Sequence, residues 1–410
     1  MFKNKNFNIK EFLSENAVPV VFLTISAIFV YYSGTQPAII MNDVVSRFAR
    51  NAFFVISLLI PVRAGMGLNF GIVVGAMASQ IGLYWALALR MEGIAAIAFA
   101  AVVCIPFAIL FGFLSGALNN KTKGQEMLTS MFVGYFAHGL YMLLFLFIIG
   151  GIIPIDVYEI ILPNGVGARS SIDLTQVKGA VDNILKVDMF TFLLMMAAIV
   201  IVVAIVNTVK NKKPDIAKFV AGAALAALGA AGNVMPAFMM FKRVVKIPVV
   251  TYGLIALLCV FITMFFKTKL GQDMRAVGQN MEIAEVSGIN VNKVRIIANI
   301  MSVVLAAWGQ LLFLQNLGTL STYTAHQNVG MFAGAALLIG GASVTKATVP
   351  QAILGTFLFH LLFNVSPLAG QNIFGSSLIG EYFRVLIVYG VLALAIVLHA
   401  AKKAGGKKAK

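Results

Sequence analysis

The sequence predicts an all-α fold, a polytopic bundle of transmembrane helices with about 10–12 spans, organised as two related halves with glycine-broken helices. Three observations carry this expectation. Of 410 residues 60% are hydrophobic and only 11% charged, with a mean hydropathy of +0.93, so there is too little polar surface to clothe a water-soluble domain. The apolar residues gather into twelve runs, most of them long enough for roughly 30 Å of hydrocarbon. Glycine clusters interrupt the second and tenth runs, and paired interruptions in two halves point to a central pathway. The whole chain, 1–410, reads as one transmembrane domain.

The first run, about Ala17–Ala38, follows a polar segment with Lys3, Lys5 and Lys10 and has no small-x-small cleavage site, so it reads as a retained helix with Tyr31 and Tyr32 at the far interface. The second, about Val45–Val62, meets Pro61 and then Gly65, Gly67 and Gly71. Proline removes a backbone hydrogen bond and glycine raises the entropy of ordering, so the segment PVRAGMGLNFG predicts a broken helix, which survives in a membrane only where protein or a water-filled cavity covers it. Arg63 there reads as a snorkelling cytoplasmic anchor, and Asn69 as a helix cap or a solute contact.

Runs at about 72–89, 94–118 and 127–153 lead to the longest polar loop, about Pro154–Asp188, with a turn signal at 163–165. The runs at 190–208 and 219–240, joined by a basic turn, read as a helical hairpin inserted over 188–240. A run at 247–266 precedes the polar stretch 267–295, and runs at 298–313, 329–339, 347–363 and 383–398 complete the twelve. Gly340 and Gly341 break the tenth as Gly65–Gly71 break the second. With the N-terminus inside, 21 of the 31 basic residues fall on the cytoplasmic side, stretch 267–295 and the basic tail among them.

Stretch 267–295 is a basic island between two apolar runs. Asn280 is placed to cap a short helix, Glu282 stands in its first turn, and Gly288 is placed to end it as a left-handed residue. Ile283, Ala284 and Val286 would give two helical turns a small apolar face. So short a helix cannot hold itself together in water, so it either docks on a partner or lies on lipid headgroups. At these residues the sequence resembles a known family. Glu282-Ile283-Ala284, three residues, then Gly288 follows the coupling-helix pattern of ATP-binding-cassette (ABC) importer permeases, and its surroundings, Thr268–Gly271, Arg275–Asn280 and Gly288–Val291, look like the branch serving simple sugars, nucleosides and branched-chain amino acids.

The resemblance implies a permease subunit in a bacterial inner membrane, paired with a second permease copy or relative, an ABC ATPase subunit and an extracytoplasmic substrate-binding protein. It implies that Gly271, Arg275, Gly278, Asn280, Glu282, Ala284 and Gly288 form the ATPase-coupling stretch. The segment at Pro61–Gly71 is closer to the nucleoside type than to the ribose type, although Val73, Val74 and Gly75 stand where that type has an acidic residue and a glutamine. The expected substrate is a nucleoside or simple sugar. Gly67, Asn69, Gly71, Gln80, Gly340, Gly341 and Asn364 are the candidate pathway residues, with bonding between helices as the other reading of the polar ones.

No catalytic set, metal-ligand spacing or phosphate-binding glycine loop appears, and His138, His326, His360 and His399 stand apart, so the expectation is no enzyme, no cofactor, and ATP hydrolysis on another chain. The scattered basic residues argue against nucleic acid. The rival is an ion-coupled secondary transporter, which usually keeps ionisable residues inside the membrane. Here the acidic residues fall in loops or at the ends of runs, such as Glu92, Glu126 and Glu381, which speaks against it.

Overall fold

The computed structural model describes residues 16–153, 157, 159–163, 165–211 and 216–408. The predicted N-terminal lysines, Asn164 of the predicted turn and residues 212–215 of the hairpin turn lie outside them.

Each of the twelve apolar runs contains a helix, though its ends often differ from those of the run, as in the first two. Helix α1 is Ala17–Tyr32, six residues shorter than its run, because Gly34 takes a left-handed φ of 62° and Pro37 then opens the next helix at a position where its missing N–H costs nothing. Helix α2, Pro37–Ser57, therefore begins eight residues before the predicted second run and carries Asp43, Arg47 and Arg50 into the bundle. Asp43 stands nearly two turns inside this helix, so the expectation that every acidic residue sits in a loop or at a span end does not hold for it. Pro61 has no N–H for the Ser57 carbonyl, and the helix breaks at Leu58 before resuming as the short α3, Leu59–Arg63.

Beyond the irregular link 64–71 come α4 (Ile72–Ala88), α5 (Gly93–Lys121) and α6 (Glu126–Leu143, continued by a π-helical turn to Ile148). Helix α4 is buried along nearly its whole length. Gly75 lets its backbone lie on the Val303 carbonyl, and a side chain at Gly82 would come within 2.6 Å of the Ala100 carbonyl. The helices it packs on are α5 and α13 (Val291–Leu317).

Helices α7 (Met189–Asn211) and α8 (Ile216–Val234) form the predicted hairpin. Gly222, Gly229 and Gly232 receive Ile201, Leu194 and Phe190 in antiparallel order. The neck of the hairpin is closed by strand β2 (Lys186–Asp188), antiparallel to β3 (Lys246–Pro248), with Val187 opposite Ile247. The short α9 (Met239–Val244) precedes β3. On the same end of the molecule β1 (Ser171–Asp173) pairs antiparallel with β4 (Thr319–Ser321), which begins the irregular segment 318–328.

The remaining helices are α10 (Val249–Phe265), α11 (Lys269–Gln279), α12 (Met281–Val286), α14 (Val329–Ile339), α15 (Val349–Phe374) and α16 (Ser377–Lys408). Among the described residues, eight helices are long and apolar enough to cross a membrane, or nine if α10 and α11, bent by 75°, count as one. The apolar helices α1, α4 and α14 are shorter, at 16, 17 and 11 residues.

Candidate functional site

The polar stretch after α10 forms an elbow of two helices. Thr268 caps α11, its hydroxyl accepting from the Gly271 N–H at 3.3 Å, and Gly271 packs against the Phe265 carbonyl with no room for a side chain. Gly278 rests on the backbone of the α3–α4 link: a side chain there would strike the Arg63 carbonyl and lie 3.0 Å from the Gly65 nitrogen. Gly65 has φ 76°, and a side chain on it would lie 2.8 Å from Gly278 Cα. Arg275 is exposed.

Helix α12 has the predicted ends. The Asn280 carboxamide oxygen accepts from the Ile283 N–H at 3.1 Å, the exposed Glu282 lies in the first turn, and Gly288 follows with φ 83° and open space around it. The predicted three-residue apolar face divides. Ala284 is buried on the body of the protein, while Ile283 is 65% exposed and Val286 90% exposed, turned away from it.

Beneath α12 lies a contact that sequence reasoning missed. Arg295, fully buried in the first turns of α13, donates to Glu126 at the start of α6 at 2.5 Å and to the Asn119 carbonyl near the end of α5 at 3.2 Å; its other terminal nitrogen lies 3.1 Å from the sulfur of Met281, the first residue of α12. One guanidinium thus ties the elbow to three helices.

Two irregular segments enter the bundle from opposite ends. The link 64–71 is held by Asn69, which donates to Asn299 at 2.9 Å and accepts from the Gly71 N–H at 3.0 Å; Asn299 in turn donates to Ser115 and the Gly112 carbonyl of α5. The segment 318–328 descends beside α6 to His138, halfway along that helix. Gln80, His326, His138 and Gln327 form a chain at 3.2, 2.8 and 2.8 Å. The polarity of this chain follows from its ends. The Gln80 oxygen accepts, so His326 donates from Nδ1, its Nε2 accepts from His138 Nδ1–H, and His138 Nε2 accepts from the Gln327 amide. The segments meet where a side chain on Gly330 would lie 2.8 Å from the Phe70 carbonyl.

Two cavities with polar groups in their walls flank this meeting point. The first, about 300 Å³, is lined by Phe70, Tyr135, His138, Gln327 and Asn328 among others. The second, about 270 Å³, lies between α2, α13, α14 and α15 and also includes Asn328 in its wall.

The family described as the permease component of the branched-chain amino acid transport system matches residues 174–397, more than half of the chain. The chain belongs to this permease family. Among curated proteins, this permease is 30% identical over 165 residues to a xylose transport permease of Haemophilus influenzae, a match covering 39% of this chain and 40% of that protein. It is 28% identical over 142 residues to a ribose import permease of Escherichia coli K12, covering 34% and 41%, and 30% identical over 162 residues to a galactose and methyl galactoside import permease of Salmonella typhimurium, covering 38% and 44%. The chain therefore spans less than half the length of these relatives. No solved structure matches it.

In this permease the predicted pathway residues occupy three places. Asn69, Gly71 and Gln80 adjoin the first cavity through Phe70 and His326 without lining it. Gly67 lies where the first glycine-rich link meets the second, near the Val344 carbonyl and where Arg63 donates to the Ala347 carbonyl at 2.9 Å; in the second link Gly340 closes the crossing of α14 on α15 against the Gln351 carbonyl and Gly341 packs on Pro19 of α1. Asn364 donates to Asp43 at 3.4 Å, close to the second cavity. The residues that line that cavity from α2 were hidden from sequence reading because their charges lowered the apparent apolarity of 38–50. Their spacing, Arg47, Arg50, Asn51 and Phe54, is the one signal that could have found them, since it places all four on one helical face.

Proposed function

We propose that this chain is the membrane-spanning subunit of an ATP-driven ABC importer for a simple sugar. The observation that carries the reading is the exposed tip of α12: a capped two-turn helix, anchored through Ala284 and Arg295, that holds Ile283 and Val286 out into solvent. A helix this short with an uncovered apolar tip fits a groove on a separate protein. That protein is the ATPase subunit, since the sequence has no nucleotide-binding loop and the chain itself is no enzyme. In this reading Asn280, Glu282, Ala284 and Gly288 shape the docked helix, and Gly271, Arg275 and Gly278 seat the lever behind it. A second permease, alike or related, and an extracytoplasmic binding protein complete the importer in the bacterial inner membrane.

The relatives named for xylose, ribose and galactose support a sugar over a nucleoside. The ion-coupled alternative is not favoured, because the buried carboxylates of Glu126 and Asp182 are engaged by Arg295 and by Thr251 and Asn316. Solute passes beside segment 318–328, with Asn328 common to both cavities, while Asn69, Gly71 and Gln80 hold the path in shape. The test is uptake of labelled xylose, ribose and galactose in cells deleted for this chain and then restored. Restored uptake of one sugar that survives a proton uncoupler while ATP is maintained is the expected result; uptake that collapses with the proton gradient would overturn the reading.

A further inference from the structure

The second cavity has an unusual lining. Arg47 and Arg50 of α2 contribute two positive charges, and no aspartate or glutamate lines it. Their guanidiniums rest over phenyl rings, Arg47 at 5.7 Å from the Phe363 centroid and Arg50 at 5.6 Å from that of Phe313. Among the described residues, no carboxylate is within ion-pair distance of either. The acids that act on them, Asp43 and Glu381 on Arg47 and Asp43 and Asp182 on Arg50, do so from outside the cavity wall, where Asp43 accepts from Asn364, Glu381 pairs with Arg384, and Asp182 accepts from Thr251 and Asn316. His360, 5% exposed, lines the same cavity, and its Nδ1 is buried without a hydrogen-bond partner, as is Nε of Arg50.

Buried polar atoms are rarely left unpaired, and the exceptions call for a specific reason. A wall with spare N–H donors and two cations, and with no anion of its own, is complementary to a solute that brings acceptors and negative charge. The phenyl rings fix the guanidiniums without consuming their N–H groups. Asn51, Ser321 and Thr324 add groups that both donate and accept, as ring hydroxyls require. We infer that this cavity is a binding station for a small hydroxylated ring carrying an anionic oxygen group, a sugar acid or a sugar phosphate. A neutral sugar would leave the guanidinium N–H groups on the wall without an anionic acceptor. The inference rests on the sugar-importer reading and narrows it.

The test is equilibrium binding of labelled D-galacturonate, D-galactose 6-phosphate, D-galactose and inorganic phosphate to the purified full-length chain. The expected result is at least tenfold tighter binding of one acidic sugar than of galactose, and which one binds tells carboxylate from phosphate. Arg50→Gln weakens that binding tenfold or more, with Arg50→Lys recovering part of it. His360→Phe, which keeps the ring volume, serves where Arg50→Gln fails to fold and weakens it in the same sense. Equal binding of galactose and both acidic sugars overturns the station, as does binding of inorganic phosphate alone, or no binding at all. Failure of the importer reading is separate: no sugar would then be taken up in an ATP-dependent way by the restored cells, whatever the purified chain binds.

Discussion

Arg295 has one carboxylate to answer its charge, and both are buried. Removing one member of such a pair leaves an unpaired ion out of water, so Glu126→Ala is expected to destabilise the protein by about 3–5 kcal/mol, read from denaturant or thermal unfolding in detergent. The double change Glu126→Leu with Arg295→Met should regain most of that loss, and if it does not, the pair is doing more than neutralising itself. A second expectation concerns Gly278, where a single methyl meets the Arg63 carbonyl. Gly278→Ala should cost about 1–3 kcal/mol in the same assay through overpacking. The two sites differ in how readable they were. The ends of α12 were legible because a cap and a left-handed terminator act within a few residues, whereas Arg295 and Glu126 lie 169 residues apart and nothing local tells either that the other exists.

Helix α12 gives the sharpest expectation at the scale of an element. Gly288→Arg has open space and suffers only the left-handed backbone, about 1–2 kcal/mol, so the protein should still insert and fold. With Glu282→Lys it should nevertheless lose ATPase copurification and transport; both variants retaining full activity would remove the coupling role. The hairpin α7–α8 makes an independent case. If 188–240 is an insertion, its closed neck at β2 and β3 means that replacing residues 189–245 with a two-residue Asn-Gly turn leaves the other helices assembled, visible as an unchanged elution volume and a retained melting transition. The twelve helices were legible because hydropathy acts over whole segments. The start of α2 was not, since Asp43, Arg47 and Arg50 look like loop residues until the helix turns them to one face.

For the molecule as a whole, the two glycine-rich links had been read as paired markers of one central pathway, and their location divides that reading. At the ends nearest the elbow Gly65 meets Gly278 of α11, Gly67 faces Met127 and the Val344 carbonyl of the second link, and Gly341 packs on Pro19 of α1, while the inner end at Phe70 reaches the first cavity. Sequence symmetry could announce two breaks but not that they converge, because convergence depends on α4 being sheathed by α5 and α13. At the seam between α11 and the first link, main chain lies on main chain. No side chain stands between Gly278 and Gly65, so no rotamer change is available there to take up a push from below. A joint of that kind has little compliance of its own, as in a bearing without play, so a displacement of the elbow would reach the main chain of the link directly at Gly65.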